Sequence, residues 1–142
     1  MAIKQISVFV ENQKGKLVDT VRVLADNEIN IRAMSIADTK DFGILRLITS
    51  DNEKSLRVLS EESVVNTTEV IAAKLQDRVG SLYRVIDILA KADINLEYMY
   101  AFTASKVFGA YVVLRVDDVE HAEEVLKSNG VPTLTEDDIT EM

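Results

Sequence analysis

GKLVDTVRVLADNEINIRAM, residues 15 to 34, and GSLYRVIDILAKADINLEYM, residues 80 to 99, read as one stretch written twice. A step of 65 positions carries Gly15 to Gly80, Leu17 to Leu82, Leu24 to Leu89 and Ala25 to Ala90. The same step pairs Ile29 with Ile94, Asn30 with Asn95 and Met34 with Met99. One inserted residue later, Phe42-Gly43 answers Phe108-Gly109, and Asp51 answers Asp117. Identities confined to turns, apolar positions and one Asn are what a duplication leaves while surfaces drift. The repeat predicts two small domains, residues 1–68 and 69–142.

Each copy predicts the same order of elements. Ile6, Val8 and Val10 alternate, as a strand requires. After the turn Glu11 to Gly15, residues Leu17, Val18, Val21, Leu24 and Ala25 form a helical stripe. Ile29 to Ile36 and Gly43 to Thr49 read as a hairpin joined through Asp38 to Asp41. Asp51 can cap a second helix carrying Leu56 and Leu59. A short strand near Val64-Val65 closes the copy, and a new strand starts at about Glu69. The second copy predicts a helix from Gly80 to Ala92 and strands Ile94 to Phe102 and Val107 to Val116. A helix from Val119 to Ser128 and a short edge strand near Val131 to Leu134, holding Pro132, complete it. Strand, helix, hairpin, helix, strand is the ferredoxin-like plan of class α+β, with antiparallel sheets and helices on one face.

Composition narrows the function classes. The chain has 142 residues, no Cys and a net charge of −8, from 16 basic and 24 acidic side chains. Disulfides and thiolate metal sites are thereby excluded. The acidic surface and the lack of a basic cluster argue against nucleic acid as a partner. No apolar run is long enough to span a bilayer, and the opening Met1 to Lys4 lacks the pattern of a signal peptide, so a cytoplasmic location is expected. Glu136-Asp137-Asp138 and Glu141 read as a solvated, frayed tail. Tyr111 to Leu114 is apolar on both faces, and Ile44 to Ile48 less cleanly so. That pattern predicts a face covered by a second chain, hence a homodimer.

Catalytic parts are missing. His121 is the only histidine, and it falls on the solvent side of its helix. No Ser/His/Asp or Cys/His set, metal ligand set or phosphate loop can be assembled, so no catalytic residue, metal or cofactor is expected. The informative positions are two turns, Asn12 to Leu17 and Asp77 to Leu82. In each, an Asx residue, a glycine placed for close approach and helix-opening amides make a corner suited to a carboxylate. Taken alone, such a turn is more simply a helix cap in which Asn12 or Asp77 satisfies those amides. Asn30 and Asn95 stand in apolar strand starts, where a buried amide needs partners and could offer a ligand both donor and acceptor.

The Asn12-(x)2-Gly15-(x)-Leu17 turn with Ile29-Asn30-Ile31, and Asp77-(x)2-Gly80-(x)-Leu82 with Ile94-Asn95-Leu96, resemble the ACT domain, a regulatory amino-acid-binding module. The resemblance covers nearly the whole chain, twice. It implies two ACT units paired side by side into an eight-stranded sheet, with a free amino acid bound at their junction. By position, Asn12, Gly15 and Leu17 with Asn95 would form one pocket, and Asp77, Gly80 and Leu82 with Asn30 the other. The Pro often found before the glycine is Lys14 or Val79 here, and the His of serine-sensing members is Val10 or Leu75. Asp77 in place of Asn12 implies unequal pockets. The resemblance further implies a sensor that regulates a separate enzyme in trans. The alternative is a structural or adaptor module for oligomerisation that has lost its ligand.

Overall fold

The computed structural model describes residues 2–38, 41–103 and 109–142. The apolar stripes fold into alternating strands and helices. Strand β1 (Ile3–Glu11) leads into helix α1 (Lys16–Asp26), the hairpin β2 (Ile31–Asp38) and β3 (Phe42–Thr49), and helix α2 (Asn52–Leu59). Strand β4 (Val65–Leu75) opens the second round. Helix α3 (Ser81–Lys91), β5 (Leu96–Thr103), β6 (Ala110–Val116), α4 (Val119–Ser128) and a short α5 (Glu136–Glu141) follow. The strand pairs are antiparallel, and the class is the α+β ferredoxin-like one expected from the repeat. Residues 39, 40 and 104–108, which include parts of both expected hairpin connections, Val107 and Phe108, lie outside the described residues.

Two compact units divide the chain. The first holds Lys4–Thr68 with Ile139–Glu141; the second holds Glu69–Asp138 with Ala2, Ile3 and Met142. In the first unit β3 lies between β2 and β1, and Phe9 N donates to Val64 O at 3.1 Å. Its core joins Ile6, Val8, Leu45 and Leu47 of the strands to Leu24 and Leu59 of the helices and to Ile29. In the second unit β6 lies between β4 and β5. There Ile71, Ala73, Val112 and Leu114 pack with Leu89 and Leu126 and with Ile94. Burial of apolar area at roughly 25 cal/mol per Å² drives both.

One difference between the two cores is a buried polar pair. The first unit buries the Thr49 and Ser55 hydroxyls 2.8 Å apart, with Ser55 also donating to Asp51 O at 2.6 Å. The second unit has buried Val116 and Ala122 at these places.

Ladder register corrects the alignment of the repeat. Ile6 pairs with Leu47 and Ile71 with Leu114, so the offset is 65 on one strand and 67 on its partner. Two residues are inserted between the copies, not one. Gly43 therefore corresponds to Ala110, and Asp51 to Asp118 instead of Asp117. Both caps agree, since Asp51 accepts from Lys54 N and Asp118 from His121 N, each at 3.1 Å. A hydrogen-bonded ladder fixes register over many residues, whereas the Phe-Gly identity rested on two. Asp51→Ala and Asp118→Ala are each expected to cost about 1 kcal/mol, readable by urea unfolding.

Six strands are present among the described residues, where the repeat predicts eight. The expected strands at Val64-Val65 and from Glu69 are one continuous β4. Asn66-Thr67-Thr68-Glu69 holds no Gly or Pro, and its two threonines favour extended backbone, so nothing interrupts the strand. The expected last strand is reduced to a bridge between Ala73 and Thr133, flanked by Lys74 N to Pro132 O at 2.8 Å and Leu134 N to Ala72 O at 2.9 Å. Pro132 has no N–H to extend the ladder.

The acidic tail is not frayed. Thr135 and Asp138 form a reciprocal capping box at the start of α5, and Ile139 is only 2% exposed. Arg32 donates from Nε to Ile139 O and from Nη2 to Thr140 O, each at 3.1 Å. Tyr111, Val112, Val113 and Leu114 are all buried within the single chain. A second chain is therefore not needed to cover that strand, which removes the reason given for a homodimer.

Candidate ligand-binding turns

The two turns share one backbone design. Gln13 N donates to Glu11 O and Lys16 N to Gln13 O; Arg78 N donates to Gln76 O and Ser81 N to Arg78 O. Gly15 and Gly80 sit at φ of +85° and +89°, where an L side chain is strained. A Cβ at either glycine would meet nothing within 4 Å, so the glycines serve the left-handed turn and not a close approach.

Neither α1 nor α3 has a side-chain cap. The capping position falls on the glycine, and Asn12 and Asp77 lie three residues before it, so the helix-cap reading of these two residues fails. Lys16 N and Ser81 N are taken by the turn carbonyls, so the helix-opening amides left without intrahelical partners are those of Leu17 and Val18 and of Leu82 and Tyr83. Asn12 N instead donates to Asp41 O at 3.1 Å.

The expectation of buried amides at Asn30 and Asn95 is also overturned. Both residues are exposed and precede their strands. Their backbone groups make the contacts. Asn30 N donates to Ser50 Oγ and Ser50 N to Asn30 O; Asn95 N donates to Asp117 Oδ1 and Asp117 N to Asn95 O. The ladders begin at Ile31 and Leu96, one residue after each Asn, so apolar flanks did not imply a strand at the Asn itself.

One cavity in the first unit gathers part of the expected set. Its volume is about 270 Å³, and Asn12 and Leu17 line it together with Val10, Glu11, Gln13, Ile36, Gly43 and Leu45. Gly15 and Asn95, the other members expected of that pocket, are not among its lining residues. Alternation along β2 and β3 could have pointed to Ile36 and Leu45; nothing in the sequence singled out Gly43. In the second unit the equivalent positions are Leu75, Asp77, Leu82, Ala101, Ala110 and Val112, so Ile36 and Gly43 both become Ala. Asp77, Leu82 and Asn95 are exposed there, while Gly80 borders a different hollow.

Among the described residues, no group of three or more His, Asp or Glu could hold a metal ion, and no helix is long and apolar enough to cross a membrane.

A family model described as an ACT domain pair matches residues 1–142. Protein BT0572 from Bacteroides thetaiotaomicron is 36% identical, with a TM-score of 0.92 over 100% of this chain and 98% of that one. The regulatory subunit of aspartate kinase from Thermus thermophilus, in its ligand-free form, is 13% identical. Its TM-score is 0.63 over 89% of this chain and 90% of that one. The corresponding subunit from Thermus flavus is 15% identical, with a TM-score of 0.63 over 88% of each chain. The likeness to the two Thermus subunits is one of fold alone. No curated protein matches the chain.

Proposed function

Because the chain belongs to the ACT domain-pair family, we propose that it is a non-catalytic sensor that binds a free amino acid and regulates a separate protein in trans. The observation that carries this reading is the cavity joining Asn12 and Leu17 at the start of α1. At about 270 Å³ it suits a molecule smaller than the occupants of typical drug-sized pockets, which run from roughly 300 Å³ upwards. The uncapped amides and the positive end of the α1 dipole favour the carboxylate. The Asn12 side chain supplies both an acceptor for the ammonium group and a donor. Val10, Leu17, Ile36 and Leu45 line the cavity with hydrocarbon beside Glu11 and Gln13, which favours an apolar amino acid over an acidic one. The second turn, with Asp77 in place of Asn12, is a weaker carboxylate site.

The output follows the pattern of a regulatory subunit, the description borne by the two Thermus chains of like fold and length. Ligand binding changes how the chain associates with a partner enzyme or with its own copies.

Titration calorimetry against the free amino acids tests the reading. One or a few apolar amino acids are expected to bind saturably. Asn12→Ala should weaken that binding about tenfold, as loss of one hydrogen bond worth about 1.5 kcal/mol implies, without lowering the melting temperature. A folded chain that binds none of them would instead be an adaptor, and the sensor reading would fall.

A further inference from the structure

The geometry points to a second ligand site, in the second unit, that takes a phosphate-bearing small molecule between Lys74, Arg78 and Arg84. These three cations line a hollow of about 600 Å³ with Gln76, Gly80 and Ser81. In a chain of net charge −8, this is a concentration of positive charge on one hollow. None of the three has an ion-pair partner among the described residues. Among the described residues the only carbonyl on Arg84 is that of Asn129, at 2.6 Å from Nη2, which leaves most of the guanidinium donors available.

The duplication supplies an internal control. By ladder register Lys74, Arg78 and Arg84 stand where the first unit has Phe9, Gln13 and Asp19. The hollow in that place in the first unit is lined by Glu11, Asp19 and Glu62, with Lys16 as its only cation. One flank of the same fold is thus acidic in one copy and wholly basic in the other. Three like charges around a hollow repel one another, and an anion between them removes that cost.

The ligand class follows from the groups present. A single carboxylate would neutralise one charge of three, whereas a phosphate ester or diphosphate carries two or more. Two guanidinium forks match phosphate oxygens in pairs, and Lys74 adds a point charge. The α3 helix opens beside them without a side-chain cap, and with Ser81 N taken by Arg78 O the Leu82 and Tyr83 amides are the further donors. Ser81 Oγ already accepts from Gln76 N at 2.8 Å, which leaves its O–H to donate outward.

This site does not depend on the amino-acid reading, and titration calorimetry with inorganic pyrophosphate, inorganic phosphate and citrate on the full chain separates the two. Pyrophosphate is expected to bind saturably at one per chain, at least tenfold more tightly than phosphate, with affinity falling as salt rises. Lys74→Met and Arg78→Ala should each weaken it at least tenfold; both side chains are exposed, so the melting temperature should hold. Gly43→Leu, which fills the cavity of the first unit, should leave pyrophosphate binding unchanged. No saturable uptake of pyrophosphate, unchanged affinity in both variants, or tighter binding of citrate than of pyrophosphate would each overturn the assignment.

Discussion

Ile139→Ala is expected to lower the stability of the chain by about 2–5 kcal/mol, the range for truncating a buried Ile or Leu. Ile139 is 2% exposed although it lies in a helix of only six residues. Six residues cannot hold a helix by backbone bonds alone. The helix therefore rests on three supports: the Thr135–Asp138 capping box, the Arg32 guanidinium on its last carbonyls and the buried Ile139 side chain. Burial, then the charge of Asp138, raises the Tyr111 phenol above its ordinary range. Thermal melting followed by circular dichroism should show a fall on the order of 10 °C, since each kcal/mol moves a domain of this size by a few degrees. The exposed Glu141→Ala serves as control and should change little. A shift in the Ile139 variant no larger than in the control would mean that α5 is not docked in solution.

Gly43→Leu is expected to abolish amino-acid binding, by more than a hundredfold, with the fold intact. Gly43 lies on β3, opposite Val10 on one side and Asp38 on the other, and it lines the 270 Å³ cavity. A Cβ there meets Ile36 Cγ2 at 3.6 Å and two carbonyl oxygens at 3.8 Å, which is ordinary contact. Its backbone is not in the left-handed region, so a side chain adds no strain. Replacing glycine within a strand also removes its excess entropy in the unfolded chain. The leucyl group then occupies the space meant for the ligand. Calorimetry with whichever amino acid the wild-type chain binds, beside a melting curve, checks both halves. Undiminished affinity in a folded Gly43→Leu chain would place the ligand elsewhere.

Much of the fold was legible because periodicity reports burial directly. The stripes Leu17 to Ala25 and Leu82 to Ala90 named α1 and α3, and the alternation of Ile6, Val8 and Val10 named β1. Register was not legible, because it is set by hydrogen bonds between distant residues. The Phe42-Gly43 match suggested one inserted residue, while the ladders require two. The acidic run at Glu136 misled for a related reason. Its composition described solvent exposure, but a single Ile139 and a distant Arg32 decide whether the segment docks. At the candidate site, turn chemistry revealed Asn12 and Leu17. Gly43 enters the cavity only because β3 runs beside β1, and the cations of the second unit are spread from residue 74 to residue 84, too sparse to read as a cluster. Apolar neighbours suggest burial at Asn30 and Asn95, but each stands one residue before its strand, bonded through its backbone to Ser50 or Asp117 with its side chain exposed.

The Thr49–Ser55 pair imposes an order on evolutionary change between the two cores. Passing from this pair to the Val116–Ala122 solution takes two substitutions, and their sequence is not interchangeable. If Thr49 becomes Val first, Ser55 keeps its donation to the Asp51 carbonyl at 2.6 Å, and no hydroxyl is stranded. If Ser55 becomes Ala first, the buried Thr49 hydroxyl is left with only Asn52 Oδ1 at 3.4 Å, a loss of about 1–3 kcal/mol. Lineages that interconvert the two cores are therefore channelled through the strand change before the helix change. An exchange of the helix alone between copies meets a barrier that an exchange of strand and helix together avoids.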